Sequence, residues 1–122
     1  MGLVSGSQDL LPGWHEEWVL AAHEAFRLLR VQALEAACRT MAAAGQHDLA
    51  IQAGSAALAA EPLRESAADA LIGAHLAQRN RYQAVQCFRT FAGRLQEELG
   101  VGPDPALTER LAEIATTRRY SS

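Results

Sequence analysis

The sequence predicts an all-α chain of about five helices, the first of them long, stacked as a right-handed array of helical hairpins. Three observations carry this. The composition is rich in Ala, Leu, Arg, Gln and Glu and poor in isoleucine and threonine, which lowers the cost of helix and withholds the β-branched residues that strands use. Apolar residues recur at three- and four-residue spacings in segments punctuated by Gly45, Pro62 and Gly100. The turn after the first helix aligns with the turn after the third at an offset of 34 residues, placing Ala50 on Ala84 and Ile51 on Val85.

Residues 1–9 are Gly/Ser-rich and aperiodic and read as a flexible lead-in, followed by an ordered domain over residues 10–117 and a short tail, 118–122. DLLPG lays Leu10 and Leu11 ahead of a Pro-Gly turn, poised to reach the core. Helix one is expected from about His15 to Ala44, with Glu16 and Glu17 complementing the dipole of its first turn. Trp14, Trp18, Ala22, Phe26 or Ala25, Leu29, Ala33, Ala37 and Met41 give it one apolar stripe, and Glu24, Arg27, Gln32, Glu35 and Arg39 an opposite polar face. Its length exceeds the few turns usual in a globular domain, so its two halves are expected to contact different things.

Gly45 is the expected left-handed residue ending helix one. Helix two, from about His47 to Ala60, should bury Leu49, Ala50, Ala53, Ala57 and Leu58, its small side chains permitting close approach, and Pro62 prevents continuation. Helix three, about Arg64 to Arg79, presents Ala67, Ala68, Leu71, Ile72, His75 and Leu76 for burial. Helix four, about Tyr82 to Leu99, buries Ala84, Val85, Phe88, Phe91 and Leu95 and stops at Gly100. Glu97 and Glu98 in its last turn have the wrong sign for the dipole and read as solvated carboxylates. Asp104 as N-cap and Pro105 at N1 start helix five, which runs to about Thr117 with Leu107, Leu111 and Ile114 inward and Tyr120 to Ser122 fraying.

The 34-residue offset is the tetratricopeptide period. The first copy has its turn glycine at Gly45 and its closing proline at Pro62; the second lacks both, so the repeat is degenerate. Each hairpin leaves a face uncovered that stacking buries, and helix five would cap the second hairpin. In this register Gln32, Glu35 and Arg39 of one copy and Ser66, Asp69 and Gly73 of the next line a mildly acidic concave face, which is either a solvated groove or a protein-interaction site for a basic peptide. Trp14, Trp18 and Phe26 lie beyond the hairpin. They either pack on DLLPG and neighbouring helices or present aromatics to another domain.

A net charge of -3 with interspersed signs lacks the clustered positive field that phosphate binding needs, so no direct nucleic-acid contact is expected. No secretory segment or bilayer-length apolar run is present, which points to a cytoplasmic chain without membrane contact. All eleven basic residues are arginine, a bias associated with GC-rich bacterial coding sequence. Cys38 and Cys87 fall on separate helices and read as small buried hydrophobes. HEEWV at His15 and HEAFR at His23 lack the second histidine of a helical zinc motif, and no other spacing suits a metal. GVGPDP at Gly100 follows a helix where a phosphate cradle needs a strand, and His75 reads as a packed, hydrogen-bonded core histidine without a partner nucleophile. No catalytic, cofactor or metal site emerges, and the chain is not expected to be an enzyme.

LLPGWHEEWV at Leu10 to Val19, EPLRESA at Glu61 to Ala67 and EELGVGPDPAL at Glu97 to Leu107 together resemble the bacterial transcriptional activator domain of the Streptomyces antibiotic regulatory proteins. The resemblance spans about Leu10 to Ile114. It implies a tetratricopeptide-like domain that follows a winged-helix DNA-binding domain in a transcription activator, the latter having no room in this chain. The role implied is interdomain contact, dimerisation as a homodimer, or contact with the transcription machinery. The alternative is a stand-alone tetratricopeptide adaptor holding a peptide in its concave groove.

Overall fold

The computed structural model describes residues 14–121, and within them there are five helices and no strand. They are α1 (Trp14–Ala43), α2 (His47–Ala60), α3 (Glu65–Ala77), α4 (Arg81–Leu99) and α5 (Pro105–Ser121). Each starts or stops within a few residues of the expected place, except that α5 continues helically to Ser121. The expected roles of the residues before Trp14, including Leu10 and Leu11, and of the side chains of Trp14, Ile114 and Tyr120 lie outside the described residues.

The repeat is written into the backbone. Gly45 ends α1 with φ +80, and its N–H donates to Ala42 O while the next N–H, of Gln46, reaches back to Met41 O at 2.8 Å. This is the Schellman arrangement that satisfies the last carbonyls of a helix. Exactly one period later Arg79 takes φ +63, its N–H donates to Leu76 O, and the N–H of Asn80 reaches His75 O, again at 2.8 Å. The second copy has therefore lost the glycine and kept the turn. Asn80 then caps α4, its Oδ1 accepting from Gln83 N–H at 3.1 Å.

The chain divides into two compact units whose boundary falls within α1, between Arg30 and Val31. In the unit from Val31 onward, Val31, Ala57 and Ala67 form one buried cluster, and Cys38, Ala50, Ala70 and Ala74 form a second. The third is the largest: Ala68, Ile72, Ala84, Phe91, Leu95, Leu107 and Leu111 pack together, with Cys87 and Phe88 partly buried against them. Leu107 and Leu111 thus lay α5 over the α3–α4 hairpin. Gly54 is buried where a Cβ would stand 2.9 Å from Cys38 Sγ and 3.2 Å from Leu71 Cα, so the missing side chain is what lets three helices meet. Leu49, expected inside, is 46% exposed, because α2 buries the narrow edge of Ala50, Gly54 and Ala57.

The expected apolar stripe of α1 does not hold along its length. Residues buried in the second half are Val31, Glu35 and Cys38, with Leu34, Met41 and Ala42 partly buried, whereas Ala33, which continues the Trp18 to Leu29 series, is exposed. In the unit before Val31 that series is solvent-facing: Trp18, Phe26 and Leu29 are 61%, 72% and 64% exposed.

Candidate functional site

Two features of the described residues stand out from ordinary packing: a polar seam joining α1, α3 and α5, and the uncovered apolar face at the start of α1. The seam contains five of the six residues expected on a concave face, and Gln32, the sixth, is exposed and bonded to none of them. Glu35 is not the solvated carboxylate expected; it is 4% exposed. Arg64 Nε and Nη2 donate to its two oxygens, and Ser66 Oγ donates to Oε2 at 3.0 Å. A buried carboxylate is tolerable when paired in this bidentate way and otherwise costs several kcal/mol, roughly 3–5 when the partner is removed. The same hydrogen bond holds the Arg64 guanidinium above its ordinary pKa.

Asp69 is likewise engaged. Arg110 Nη1 donates to its Oδ1, and Arg39 Nη2 approaches Oδ2 at 3.8 Å while also donating to Ser66 O at 3.3 Å. Gly73 makes room for this, since a Cβ there would lie 3.0 Å from Arg110 Nη2. Glu65 accepts from Asp104 N–H through both oxygens, at 3.0 and 3.1 Å, and Asp104 Oδ1 in turn caps α5 by accepting from Ala106 N–H at 2.8 Å. Glu65, Ser66, Asp69, Asp104 and Arg110 line a crevice of about 390 Å³. Glu35 and Asp69, from which a mildly acidic groove was inferred, each pair with an arginine, whereas Glu65 and Asp104 accept from backbone N–H groups and keep the crevice acidic. Arg64 and Arg110 were the residues that reasoning from repeat register missed. Arg64 is the N-cap residue of α3 and Arg110 lies on α5, outside the repeat, and only the fold brings them to the carboxylates.

No group of three or more His, Cys, Asp and Glu among the described residues is placed to hold a metal ion. Cys38 is fully buried, its Sγ donating to Ala70 O at 3.3 Å, and burial raises its pKa against the opposing charge of Arg39. Burial also pushes the Cys87 thiol up to about 11. Both cysteines are free and protonated at neutral pH, which makes them poor nucleophiles. His75, expected to be hydrogen-bonded, instead buries an Nδ1 that has no partner, as does His47. No described helix is long and apolar enough to cross a membrane.

The second feature has no such internal answer. On a helix, residues three and four apart share a face, and Trp18, Ala22, Ala25 and Leu29 form such a series, flanked by Phe26 and Leu28. Trp18, Phe26, Leu28 and Leu29 all count among the exposed large hydrophobic residues, and Ala22 and Ala25 are exposed between them. Single exposed apolar side chains are ordinary, whereas a contiguous run including two aromatics is not.

No curated protein and no solved structure matches the chain. A family model, the bacterial transcriptional activator domain, matches residues 6–115. That span contains all of α2, α3 and α4, the seam and the apolar face of α1, and on it the chain belongs to the bacterial transcriptional activator domain family.

Proposed function

We propose that this chain is the protein-interaction part of a bacterial transcription activator, and that the exposed face of α1 around Trp18 and Phe26 is where it makes its regulatory contacts. The single observation behind this reading is that face: two aromatics and two leucines of an activator-family domain, exposed with no covering element among the described residues. Sequence-specific DNA recognition is assigned to a separate winged-helix domain of a longer regulator. The contacts of this domain are then with that domain, with the transcription machinery or with itself, in the cytoplasm. The charge balance supports the same division of labour, since a net charge of -3 gives phosphate little to hold. Trp14, next to this face in sequence, joins the proposed surface. Gln32, Glu35, Arg39, Ser66 and Asp69 take a supporting role, because the last four are bonded to the domain's own residues.

The test is a tethered-activator reporter in which the chain is fused to an unrelated DNA-binding domain. Activation is expected, and Trp18→Ser/Phe26→Ser should reduce it several-fold without changing the far-UV circular dichroism spectrum. Sequence-selective binding of the isolated chain to duplex DNA, or a reporter indifferent to both substitutions, would contradict the proposal.

A further inference from the structure

α3 packs against both α2 and α4, and between those two helices it leaves an open cleft of about 380 Å³. That volume falls in the range of small-molecule pockets, about 300–1,000 Å³. The floor is apolar: Leu71 and Phe91 line it while only 7% and 1% exposed, and Leu58 adds a half-buried wall. Gly54 seats α2 against this floor, because a Cβ there would stand 3.2 Å from both Cα and Cβ of Leu71. Ser55 and Ala59 form the rim on α2, and Thr90 and Arg94, four residues apart on one face of α4, form the rim opposite.

Among the described residues that line the cleft, Arg94 alone is charged. Glu97 and Glu98 lie one turn further along the same helix, yet the Arg94 guanidinium has no hydrogen bond or ion pair with them or with any other described residue. The hydroxyls of Ser55 and Thr90 are also unbonded among the described residues. From this arrangement we infer that the cleft binds a small monocarboxylic acid with an apolar body, its carboxylate on Arg94 and its body against Leu58, Leu71 and Phe91. A guanidinium presents parallel N–H groups that match the two oxygens of a carboxylate, and the two hydroxyls can complete the carboxylate's hydrogen bonding. One cation without a counter-charge suits a single negative charge. A phosphate dianion would need a second cation that the lining does not offer, a cationic ligand would be repelled, and a neutral one would leave the guanidinium unused. The cleft lies within the unit from Val31 onward and shares no residue with the apolar face of α1, so this site and the contacts proposed for that face stand or fall separately.

Titration of the isotope-labelled chain with sodium octanoate, followed by its amide chemical shifts, tests the site. Octanoate has about ten non-hydrogen atoms, which at ordinary ligand efficiency gives a Kd on the order of millimolar. Saturable shifts are expected at amides around the cleft, those of Ser55, Leu71, Thr90 and Phe91 among them, and acetate should produce none. Arg94→Gln should weaken octanoate roughly 5- to 30-fold and leave the weaker response to octanol unchanged, because only the charged head group has lost its partner. Ala59→Phe fills the cleft and should abolish both responses. Both substitutions are at exposed helix positions, and unchanged shifts elsewhere in the spectrum show that the fold is retained. The absence of saturable shifts, shifts centred away from the cleft, or an octanoate affinity indifferent to Arg94→Gln overturns the inference. So does tighter binding, through Arg94, of an acetylated tripeptide ending in a free leucine carboxylate, since the occupant is then the tail of a protein.

Discussion

Gly45 and Arg79 occupy the same backbone conformation one repeat apart, with different costs. At Gly45 nothing lies within 4 Å of where a Cβ would stand, so any penalty there is conformational rather than steric. Gly45→Ala should destabilise the domain by about 1 kcal/mol. Arg79 already bears the cost of a left-handed non-glycine residue, about 1–2 kcal/mol, so Arg79→Gly should stabilise by roughly 0.5 kcal/mol after the added freedom of the unfolded chain is subtracted. Urea denaturation of the two variants, with shifts of opposite sign, checks this. At His75, burial lowers the pKa, so the unfolded chain binds the proton more tightly than the folded one. The stability tied to its neutral form is fully present above the ordinary histidine pKa and drains away as pH falls through the depressed folded value. Unfolding free energy should therefore decline between about pH 7 and pH 5, and His75→Leu should flatten that part of the profile. A profile identical in the variant would exclude this origin.

At the scale of elements, α3 is tied to α1 by Glu35, Arg64 and Ser66, and to α5 by Asp69 with Arg110 and Glu65 with Asp104 N–H. The two ends of the Glu35–Arg64 pair are unequal. Glu35's side chain is 5% exposed and Arg64's 27%, so a stranded arginine can turn to water and a stranded glutamate cannot. Arg64→Ala is predicted to cost about 3–5 kcal/mol and Glu35→Gln about half of that, both read from chemical denaturation at neutral pH. Equal losses would show that the pair's environment is more open than its geometry indicates. The helices themselves were legible in the sequence: Gly45, Pro62, Gly100 and the Asp104–Pro105 start each mark a boundary by local chemistry that tertiary packing does not override. The face each helix buries was less so. In α1, alanines on every side blur the period, and the buried Glu35 looks like a surface residue until Arg64, twenty-nine positions on, is brought against it. Leu49 misled for the opposite reason: close approach through Ala50, Gly54 and Ala57 excludes a large neighbour.

For the whole molecule, the repeat fixes an architecture, and the exposed apolar half of α1 is where the proposed contacts are made. The hairpin array from Val31 onward satisfies its own buried charges and covers its own core, whereas the segment before it leaves Trp18, Phe26, Leu28 and Leu29 in water. On the proposed reading this face, uncovered among the described residues, is kept for another surface. The most direct test is the unfolding free energy of Trp18→Ser/Phe26→Ser at low micromolar concentration, followed by far-UV circular dichroism in urea. Serine, tryptophan and phenylalanine have similar helix propensities, so the substitutions leave the helix itself nearly unchanged. The expected stability lies within about 0.5 kcal/mol of the parent chain. A loss of several kcal/mol, about 3–5 for each aromatic if it were buried, would show that the face is core and contradict it.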